Sequence, residues 1–401
     1  MEKVRWSDEK FAQERVKASL GFPQGEEINL VESTEYLEGM PIHKSYTHKL
    51  KMAQDIGITL LQAGMAGDIM TAPIESKSVS TLRKISDELD MPVQWTITGP
   101  DSKVQCELLC ASGWTSIAGG GVSYNVPYEG EFTLEQSIKN WQYCDRLVSF
   151  YDECGIGINR ETSTPPSQLL VPPSISGSVS ILEMLMAAGQ GVKDITLAQR
   201  QYGSLVQDVA AIMALKEQAE EYLQYFGYRD VVLNTSMHQL KSEFHGEESQ
   251  NGAGASYGAM TAALAGADKV VLEWSGAAEA KSLLNMLYGQ KLPASKELET
   301  EISIIKAETK CIISTVIKLG AGELDSGIIK SFKTGVLDLP TAPSKFCLGE
   351  VTTGRDRLGA VRYLDTAKVP LSDELKRFNS RKLQERDDIE RRTTNERNTR
   401  K

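Results

Sequence analysis

The sequence predicts an α/β fold in the form of a (β/α)8 TIM-type barrel with one reduced strand–helix unit and with helical extensions at both ends. From about residue 50, short apolar runs rich in β-branched residues alternate with longer segments of helical periodicity, and repeated strand–helix units build a parallel sheet. The predicted strands recur at even intervals, and several run into polar, glycine-rich segments. An open doubly wound sheet fits the same alternation, but the even spacing and the polar strand ends favour the closed barrel.

Three regions follow one another along the chain. Residues 1–50 are predicted to be a helical extension, in which Ser7 precedes an amphipathic stretch and is a suitable N-cap. Residues 51–279 are predicted to hold the barrel. Residues 280–401 are predicted to be a helical and loop-rich C-terminal extension, which begins with a long charged helix over Ser295–Gly320.

Seven segments are predicted as strands, whereas eight close a standard barrel. An eighth candidate, Asp68–Ile74, follows the first strand with almost no connection. A parallel neighbour needs a crossover of a dozen or more residues, so this corner of the barrel is expected to be reduced or irregular. The seven predicted strands are Ile58–Leu61, Val93–Ile97, Thr115–Ile117, Ile156–Asn159, Ile195–Leu197, Val231–Thr235 and Val270–Leu272.

Helices are predicted between these strands. Apolar residues recur at helical spacing in Ser178–Gln190, and Leu205–Tyr225 runs without a proline. The stretch Gly252–Gly258 superficially resembles a dinucleotide-binding loop, but no strand closely precedes it, so a helix of small residues packed against strands explains it better. Glycines that follow predicted helices are read as C-caps; they are Gly113, Gly155, Gly191, Gly227 and Gly266.

Composition and charge exclude several classes of protein. Of 401 residues, 41% are hydrophobic and 24% are charged, which argues against a disordered or fibrous chain. The formal net charge of −10 argues against a nucleic-acid-binding surface, and no apolar run is long enough for a membrane span. The charged N-terminus predicts no secretory signal, so a cytoplasmic location with six reduced cysteines is expected. No zinc motif occurs, and no metal site is predicted.

The first candidate functional segment is the glycine loop, residues 118–128, which follows a predicted strand. Three consecutive glycines leave its backbone bare, so that a ligand can approach closely. Tyr124 and Tyr128 flank a proline that stiffens the loop. In a barrel this loop lies at the end where active sites occur. A structural turn with packed aromatic residues explains the same pattern equally well.

Two further strand ends carry polar candidates. Glu161 ends a predicted strand, where a carboxylate can act as an acid, a base or a hydrogen-bond acceptor; a surface pair with Arg160 is the alternative. His238 follows the strand Val231–Thr235 and is a candidate to orient a ligand. A lone histidine near a loop is more often a satisfied structural residue, so the structural interpretation of His238 is favoured.

Several long motifs resemble the large, or epsilon, subunit of glutamate mutase, also called methylaspartate mutase. The similarity extends from about Trp6 to Arg386. The motifs that carry the resemblance are the glycine loop, Trp141–Leu147, Ile158–Glu161, Leu170–Ser174, His238-Gln239, Lys296–Glu301 and Lys306–Cys311.

The resemblance implies a (β/α)8 barrel that works with a small, separate cobalamin-binding subunit. That partner would carry adenosylcobalamin through an Asp-x-His-x-x-Gly motif, in which none of the four histidines here stands. In the family, an adenosyl radical removes a substrate hydrogen atom and starts a carbon-skeleton rearrangement, while the barrel excludes water and positions the substrate. The resemblance also implies a homodimer of this chain and a small amino-acid-like substrate.

The resemblance assigns roles to several positions of this sequence. The two tyrosines that contact substrate match Tyr124 and Tyr128, and the strand-end glutamate matches Glu161. The proline and the phenylalanine that touch the cofactor match Pro127 and Phe244.

Other family positions have changed here, and the changes concern charge. Of the three arginines that bind the carboxylates of glutamate, one position reads Gly64 and another reads Thr96, and the third falls in a shortened region. The glutamate that holds the substrate ammonium reads Ala118. The lysine and glutamate that bind the ribose read roughly Glu273 and Ala277.

A buried dicarboxylate without a cationic partner costs several kcal/mol per charge. The sequence therefore predicts a mutase-like isomerase that acts on a substrate other than glutamate. Two alternatives remain, namely an enzyme of changed chemistry that no longer uses cobalamin and a non-catalytic scaffold subunit.

Overall fold

The computed structural model describes residues 5–56, 60–62, 74–99, 102–129, 131–165, 169–240, 248–272, 277–287, 289–342 and 344–399. Its centre is a sheet of seven parallel strands, namely β1 Leu60–Gln62, β2 Gln94–Thr96, β3 Ser116–Gly119, β4 Asn159–Thr162, β5 Asp194–Arg200, β6 Val232–His238 and β7 Lys269–Val271. Their order in the sheet is β1-β7-β6-β5-β4-β3-β2. Each coincides with or adjoins a predicted strand, so the parallel α/β prediction is confirmed.

The sheet is curled rather than flat. Strands β2 and β7 are five positions apart in the sheet, which corresponds to about 24 Å in a flat arrangement. Yet Lys269 Nζ on β7 lies 3.1 Å from Gln94 Oε1 on β2. Side chains from strands so far apart can meet only across the concave face of a strongly curved sheet. The described strands thus form a large part of a barrel wall.

Closure of the barrel is not seen in the described residues. Strands β1 and β2 are the two edges of the sheet, and no strand joins them within the described ranges. The predicted eighth strand, Asp68–Ile74, lies outside the described residues except for Ile74, which begins a short 3-10 helix. The described strands therefore form a curled seven-stranded parallel sheet, and the complete (β/α)8 barrel stays a prediction.

Helices follow the strands and cover the convex face of the sheet. Glycines in the left-handed conformation end several of them, as predicted; Gly191 and Gly227, for example, have φ of 105° and 83°. The glycine-rich stretch Gly252–Gly258 lies within the helix Glu248–Ala265, so its interpretation as a helix is confirmed. The helices up to the last strand are α4 Val79–Glu88, α5 Ser102–Ala111, α6 Asn125–Tyr128, α7 Leu134–Glu153, α8 Pro173–Gln190, α9 Leu205–Phe226 and α10 Glu248–Ala265, and α11 Ala277–Met286 follows β7.

The N-terminal extension packs beside the sheet. It contains α1 Asp8–Ser19, α2 Leu30–Glu38 and α3 Tyr46–Ile56. The Ser7 hydroxyl accepts a hydrogen bond from the backbone N–H of Lys10, as its N-cap prediction requires. Tyr46 is buried, and its ring centroid lies 5.3 Å from Nζ of Lys269, the first residue of β7.

The C-terminal extension contains a long helix, as predicted, and more regular structure than predicted. Helix α12, Lys296–Gly320, is capped by Ser295, and α13, Leu324–Thr334, follows it. The region expected to be rich in loops also contains an antiparallel pair, β8 Thr352–Arg355 and β9 Val361–Asp365. Helix α14, Asp373–Thr399, packs on this pair. None of the described helices is long and apolar enough to cross a membrane.

Candidate active site at the carboxyl ends of the strands

Three of the residues singled out from the sequence lie in one row across neighbouring strands. Thr96 on β2 is paired with Ala118 on β3, and Ala118 is paired with Glu161 on β4. The carboxyl ends of parallel strands share one edge of a sheet, which is where ligands bind in α/β proteins. The structure thus brings together positions that are separated by 65 residues between Thr96 and Glu161 in the sequence.

Glu161 is the centre of a buried polar cluster. Its carboxylate is completely buried and forms an ion pair with the equally buried Lys269. His238 Nε2 lies 2.9 Å from Glu161 Oε1, and Gln94 Nε2 donates to Oε2 at 2.6 Å. Four strands, β2, β4, β6 and β7, therefore contribute to one hydrogen-bonded group inside the curled sheet.

Burial and neighbouring charge have opposite effects on the pKa values of the ionisable groups in this cluster. Burial alone would raise the pKa of Glu161, but the Lys269 ammonium and the His238 hydrogen bond lower that pKa to about 2. Burial lowers the pKa of His238 and also that of Lys269, in both cases against the attraction of Glu161. Glu161 is therefore an anionic hydrogen-bond acceptor at neutral pH. Among the three predicted roles, that of an acid is disfavoured.

A second polar layer lies deeper in the sheet. Asp194 Oδ1 accepts hydrogen bonds at 2.8 Å from Asn159 and at 2.8 Å from Asn234. The Ser116 hydroxyl donates a hydrogen bond to Asn159 Oδ1 at 3.0 Å. The same hydroxyl accepts a hydrogen bond from Gln94 Nε2 at 2.8 Å. The two layers are thus continuous through Gln94, and the interior of the sheet is polar where an ordinary structural core would be apolar.

The two tyrosines of the glycine loop form an aromatic shelf at the same end of the sheet. The rings of Tyr124 and Tyr128 are stacked, with centroids 4.8 Å apart. The Tyr128 hydroxyl donates to the Thr164 carbonyl at 2.7 Å, which fixes the shelf to the segment after β4. Tyr128 remains 38% exposed. Burial raises the pKa of Tyr124, which keeps its hydroxyl protonated.

The glycines of this loop are needed for packing against the protein itself. Gly119 has φ of 139°, and a Cβ there would lie 2.5 Å from the Trp141 ring. A Cβ at Gly120 would collide with the carboxylate of Glu183 on α8. Close packing against α7 and α8 therefore explains why glycine is needed at these two positions. The predicted close approach of a ligand to the bare backbone is not required to explain them.

Arg160 secures the loop from behind. Its guanidinium donates to the Gly119 carbonyl at 3.0 Å and pairs with Asp145 on α7 at 2.9 Å. Because side chains alternate along a strand, Arg160 faces the helices while Glu161 faces the interior. Both are fully buried, so the alternative of a surface pair between Arg160 and Glu161 is wrong.

The residues that the resemblance linked to the cofactor fall into two groups. Pro127 lies in α6 and is buried, in an apolar crevice with Ile175 and Phe332. Phe244 and Glu273 lie outside the described residues.

Sequence reasoning missed three polar residues of this region. Two of them, Lys269 and Gln94, belong to the Glu161 cluster, and the third is Arg200, which donates a hydrogen bond to the Thr164 hydroxyl at 3.3 Å. Gln94 and Lys269 are the first residues of β2 and β7, and Arg200 is the last residue of β5; a polar residue at such a position usually indicates a strand boundary. The alternation of side chains along a strand could have indicated Arg200, because it is an even number of residues from Asp194 and so lies on the same face of β5. No local pattern reveals that Lys269 meets Glu161, because the curl of the sheet brings them together.

These features define a class of protein: a curled parallel α/β sheet with a polar, charged interior and an aromatic shelf at its carboxyl edge. Comparison with known proteins identifies the family. The family model for the methylaspartate mutase E chain (MutE) matches residues 44–399, and the chain belongs to this family.

Curated relatives agree with the family model. The chain is 35% identical to the glutamate mutase epsilon subunit of Treponema denticola, over 96% of this chain and 93% of that protein. It is 33% identical to the protein of that name from Desulfitobacterium hafniense, over 94% and 92%. With the Escherichia coli O157:H7 protein the identity is 41%, over 76% of this chain and 66% of the relative.

Proposed function

We propose that this chain is the catalytic subunit of an adenosylcobalamin-dependent carbon-skeleton mutase that acts on an amino-acid-like substrate other than glutamate. The observation that carries the proposal is the row Thr96–Ala118–Glu161, which lies at the carboxyl edge of the sheet in a chain of the methylaspartate mutase E chain family and is uncharged at two of its three positions. A small cobalamin-binding subunit would be its partner, and a homodimer of this chain in the cytoplasm fits the same family.

The polar interior supports an enzyme over a scaffold. A scaffold has no use for a buried carboxylate and ammonium beside a half-buried imidazole and amide in one cluster, because each polar group costs free energy on burial unless it is fully paired. Glu161, Lys269, His238 and Gln94 form such a cluster at the edge where parallel α/β proteins bind ligands. An enzyme that binds a polar substrate at this edge accounts for the cluster, whereas a scaffold does not.

The substrate part of the proposal follows from charge. Thr96 and Ala118 offer neither a guanidinium nor a carboxylate, so a glutamate γ-carboxylate and ammonium would lack the partners that these positions supply in the family. A buried Arg–carboxylate pair is bidentate and charge-assisted, and a hydroxyl cannot replace it. A substrate with fewer charges fits this row better.

The cofactor fits the described residues through the aromatic shelf. Tyr128 presents a partly exposed ring beside Tyr124, and such a surface can cover a flat macrocycle or an adenosyl group. Pro127 is buried in its crevice and is a poor candidate for that contact. When bound, adenosylcobalamin supplies the radical that starts the rearrangement. This chain would exclude water, orient the substrate and keep Glu161 anionic.

The test uses the complex of this chain with its small cobalamin-binding subunit, loaded with adenosylcobalamin under anaerobic conditions. Electron paramagnetic resonance is recorded after addition of glutamate or of neutral amino acids such as alanine, valine and leucine. A paramagnetic signal with a neutral amino acid and none with glutamate supports the proposal. A signal with glutamate overturns the substrate assignment, and no signal with any compound overturns the mutase activity.

A matched pair of variants connects that signal to the shelf. Tyr128→Ala removes one ring of the stack and is expected to reduce the signal at least tenfold. Tyr225→Ala alters a tyrosine that is 78% exposed on α9 and is expected to leave the signal unchanged. Equal signals from both variants would show that the shelf has no part in the reaction.

A further inference from the structure

A cavity lies between α9 and the C-terminal extension. Its volume is about 340 Å³, which is enough for a small organic ligand. Four elements line it: the first turns of α9 and α12, the turn between β8 and β9, and the part of α14 around Phe378. None of its described lining residues belongs to the Glu161 cluster or to the aromatic shelf, so the proposed mutase chemistry does not account for this cavity.

Cationic side chains outnumber carboxylates in the cavity. Its charged lining residues are Lys296, Arg362, Arg381 and Lys382 with Glu297 and Glu301. All of the cations except Lys296 lie beside the Phe378 ring, with their charged groups 5.2 to 5.9 Å from the ring centroid. Like charges gathered in this way repel one another, and an anion placed among them would relieve that repulsion.

Arg362 is a structural part of the cavity wall. Its guanidinium is buried and pairs with Glu301 on α12, and its Nε donates to Asp356 Oδ2 at 2.8 Å. Asp356 Oδ1 accepts from the backbone N–H groups of Leu358 and Ala360 at 2.8 and 3.1 Å. These bonds fix the turn between β8 and β9 against α12. They neutralise the charge of Arg362 and preorganise the wall for a ligand.

The other three cations keep charge for a ligand. Lys382 has one long contact, at 3.8 Å with Glu385. Lys296 and Arg381 form no ion pair with any residue that the structure describes. The remaining carboxylate of the lining, that of Glu297, is on an exposed residue. The cavity thus has a positive balance of charge, which favours an anionic ligand.

The first turn of α9 adds uncharged donors to the cavity. A helix begins with backbone N–H groups that have no partner in the helix and with the positive end of its dipole. In α9, Asp208 N–H donates to the Ser204 carbonyl at 2.8 Å; the N–H groups of Val206 and Gln207 precede this bond, and both residues line the cavity. Ser204 also lines it and is only 4% exposed, yet its hydroxyl does not cap the helix. A buried hydroxyl without a partner among the described residues is a suitable donor to an anion.

We propose that this cavity binds the phosphate group of a small molecule. A phosphate group carries roughly two negative charges at neutral pH and three acceptor oxygens, which suit the ammonium groups of Lys296 and Lys382 and the guanidinium of Arg381. Helix N–H groups and a hydroxyl bind the same oxygens. A carboxylate, with one charge and two oxygens, would leave several of these donors without a partner. The inference does not depend on the mutase proposal.

The experiment measures binding of two probes, inorganic phosphate and ethyl phosphate, to the full chain without cofactor. Isothermal titration calorimetry is carried out at constant ionic strength, because salt screens attraction between exposed charges. The variants are Arg381→Gln, Ser204→Ala and the control Lys376→Gln, which removes an exposed charge of α14 that does not line the cavity. Thermal unfolding of each variant shows that it is folded.

We expect saturable binding of phosphate by wild type. Arg381→Gln is expected to weaken this binding at least tenfold, Ser204→Ala severalfold, and Lys376→Gln not at all. Tighter binding of ethyl phosphate indicates that the cavity takes a phosphate ester, tighter binding of inorganic phosphate indicates the free anion, and both results support the site. No saturable binding of either probe, or an equal loss in Arg381→Gln and Lys376→Gln, would overturn the inference.

Discussion

Glu161 and Lys269 form a completely buried ion pair across the interior of the sheet, although their strands β4 and β7 are three positions apart in sheet order. Removing two charges from water costs several kcal/mol per ion, and their mutual attraction offsets this only when the remaining polar atoms are also satisfied. Here His238 and Gln94 supply those additional hydrogen bonds. The pair therefore keeps a carboxylate anionic at the place where the substrate is proposed to bind.

The first prediction concerns removal of the ammonium. Lys269→Met leaves the Glu161 carboxylate buried without a charged partner, and we expect the free energy of unfolding to fall by about 3 to 5 kcal/mol. Urea unfolding followed by circular dichroism measures this change. The double variant Lys269→Met/Glu161→Gln removes both charges and should recover most of the loss, since a neutral amide can still bind His238 and Gln94. Equal destabilisation in the single and the double variant would contradict this account.

The second prediction concerns acid. Because the pKa of Glu161 is lowered to about 2 in the folded chain from 4.5, its contribution to stability is fully present above pH 4.5 and is lost as the pH falls toward 2. The contribution amounts to roughly 3 kcal/mol at neutral pH. Wild type should therefore lose more stability than the double variant Lys269→Met/Glu161→Gln between pH 4.5 and pH 2. Parallel pH profiles for the two proteins, measured by unfolding at each pH, would refute the assignment.

Much of the fold can be predicted from the sequence because its determinants are local. The strands show as β-branched runs, and Gly191 and Gly227 end helices where no side chain opposes a left-handed residue. The pair β8–β9 was missed although Val361 and Tyr363 alternate with polar residues, because its strands are short and contain charges. Closure of the barrel depends on the predicted eighth strand, Asp68–Ile74, which follows the first predicted strand with too short a connection for a parallel neighbour.

The site was harder to predict because its determinants are not local. Thr96, Ala118 and Glu161 could be chosen from motifs, but Lys269 pairs with a residue 108 positions away. That contact exists only because the sheet curls. Likewise, three glycines in a loop predict either ligand approach or tight packing, and the position of Glu183 on another helix decides between them.

The third prediction uses that packing. Gly120→Ala would force its Cβ into the Glu183 carboxylate and the Ser123 hydroxyl, and overpacking of this kind costs about 1 to 3 kcal/mol. The matched control is Gly177→Ala in α8, where a Cβ would make only an ordinary contact with Leu215 at 3.7 Å. Alanine in a helix is favoured over glycine by roughly 0.5 to 1 kcal/mol, so the control should not be destabilised. Thermal unfolding of both variants makes the comparison, and a Gly120→Ala protein as stable as Gly177→Ala would contradict it.

The last prediction concerns the junction of the C-terminal extension with the rest of the chain. Glu308 on α12 accepts hydrogen bonds at 2.8 Å from Ser174 on α8 and at 2.8 Å from Asn379 on α14. Burial nevertheless raises its pKa to about 7 from 4.5; Arg362 opposes the rise, and Glu301 adds to it. The stability that protonation of Glu308 supplies is therefore fully present below pH 4.5 and is lost as the pH rises through about 7.

Wild type should accordingly be less stable at pH 8 than at pH 5, with roughly 3 kcal/mol of that difference due to Glu308. Glu308→Gln keeps the side chain neutral at every pH, and Ser174 can reorient its hydroxyl because it also lies 2.9 Å from the Tyr363 hydroxyl. The variant should lose that part of the pH dependence and be the more stable protein at pH 8. The control Glu297→Gln alters an exposed glutamate of the same helix and should retain the wild-type profile. A Glu308→Gln variant that is destabilised equally at pH 5 and pH 8 would show instead that Glu308 is ionised in the folded chain and that Ser174 and Asn379 bind the anion.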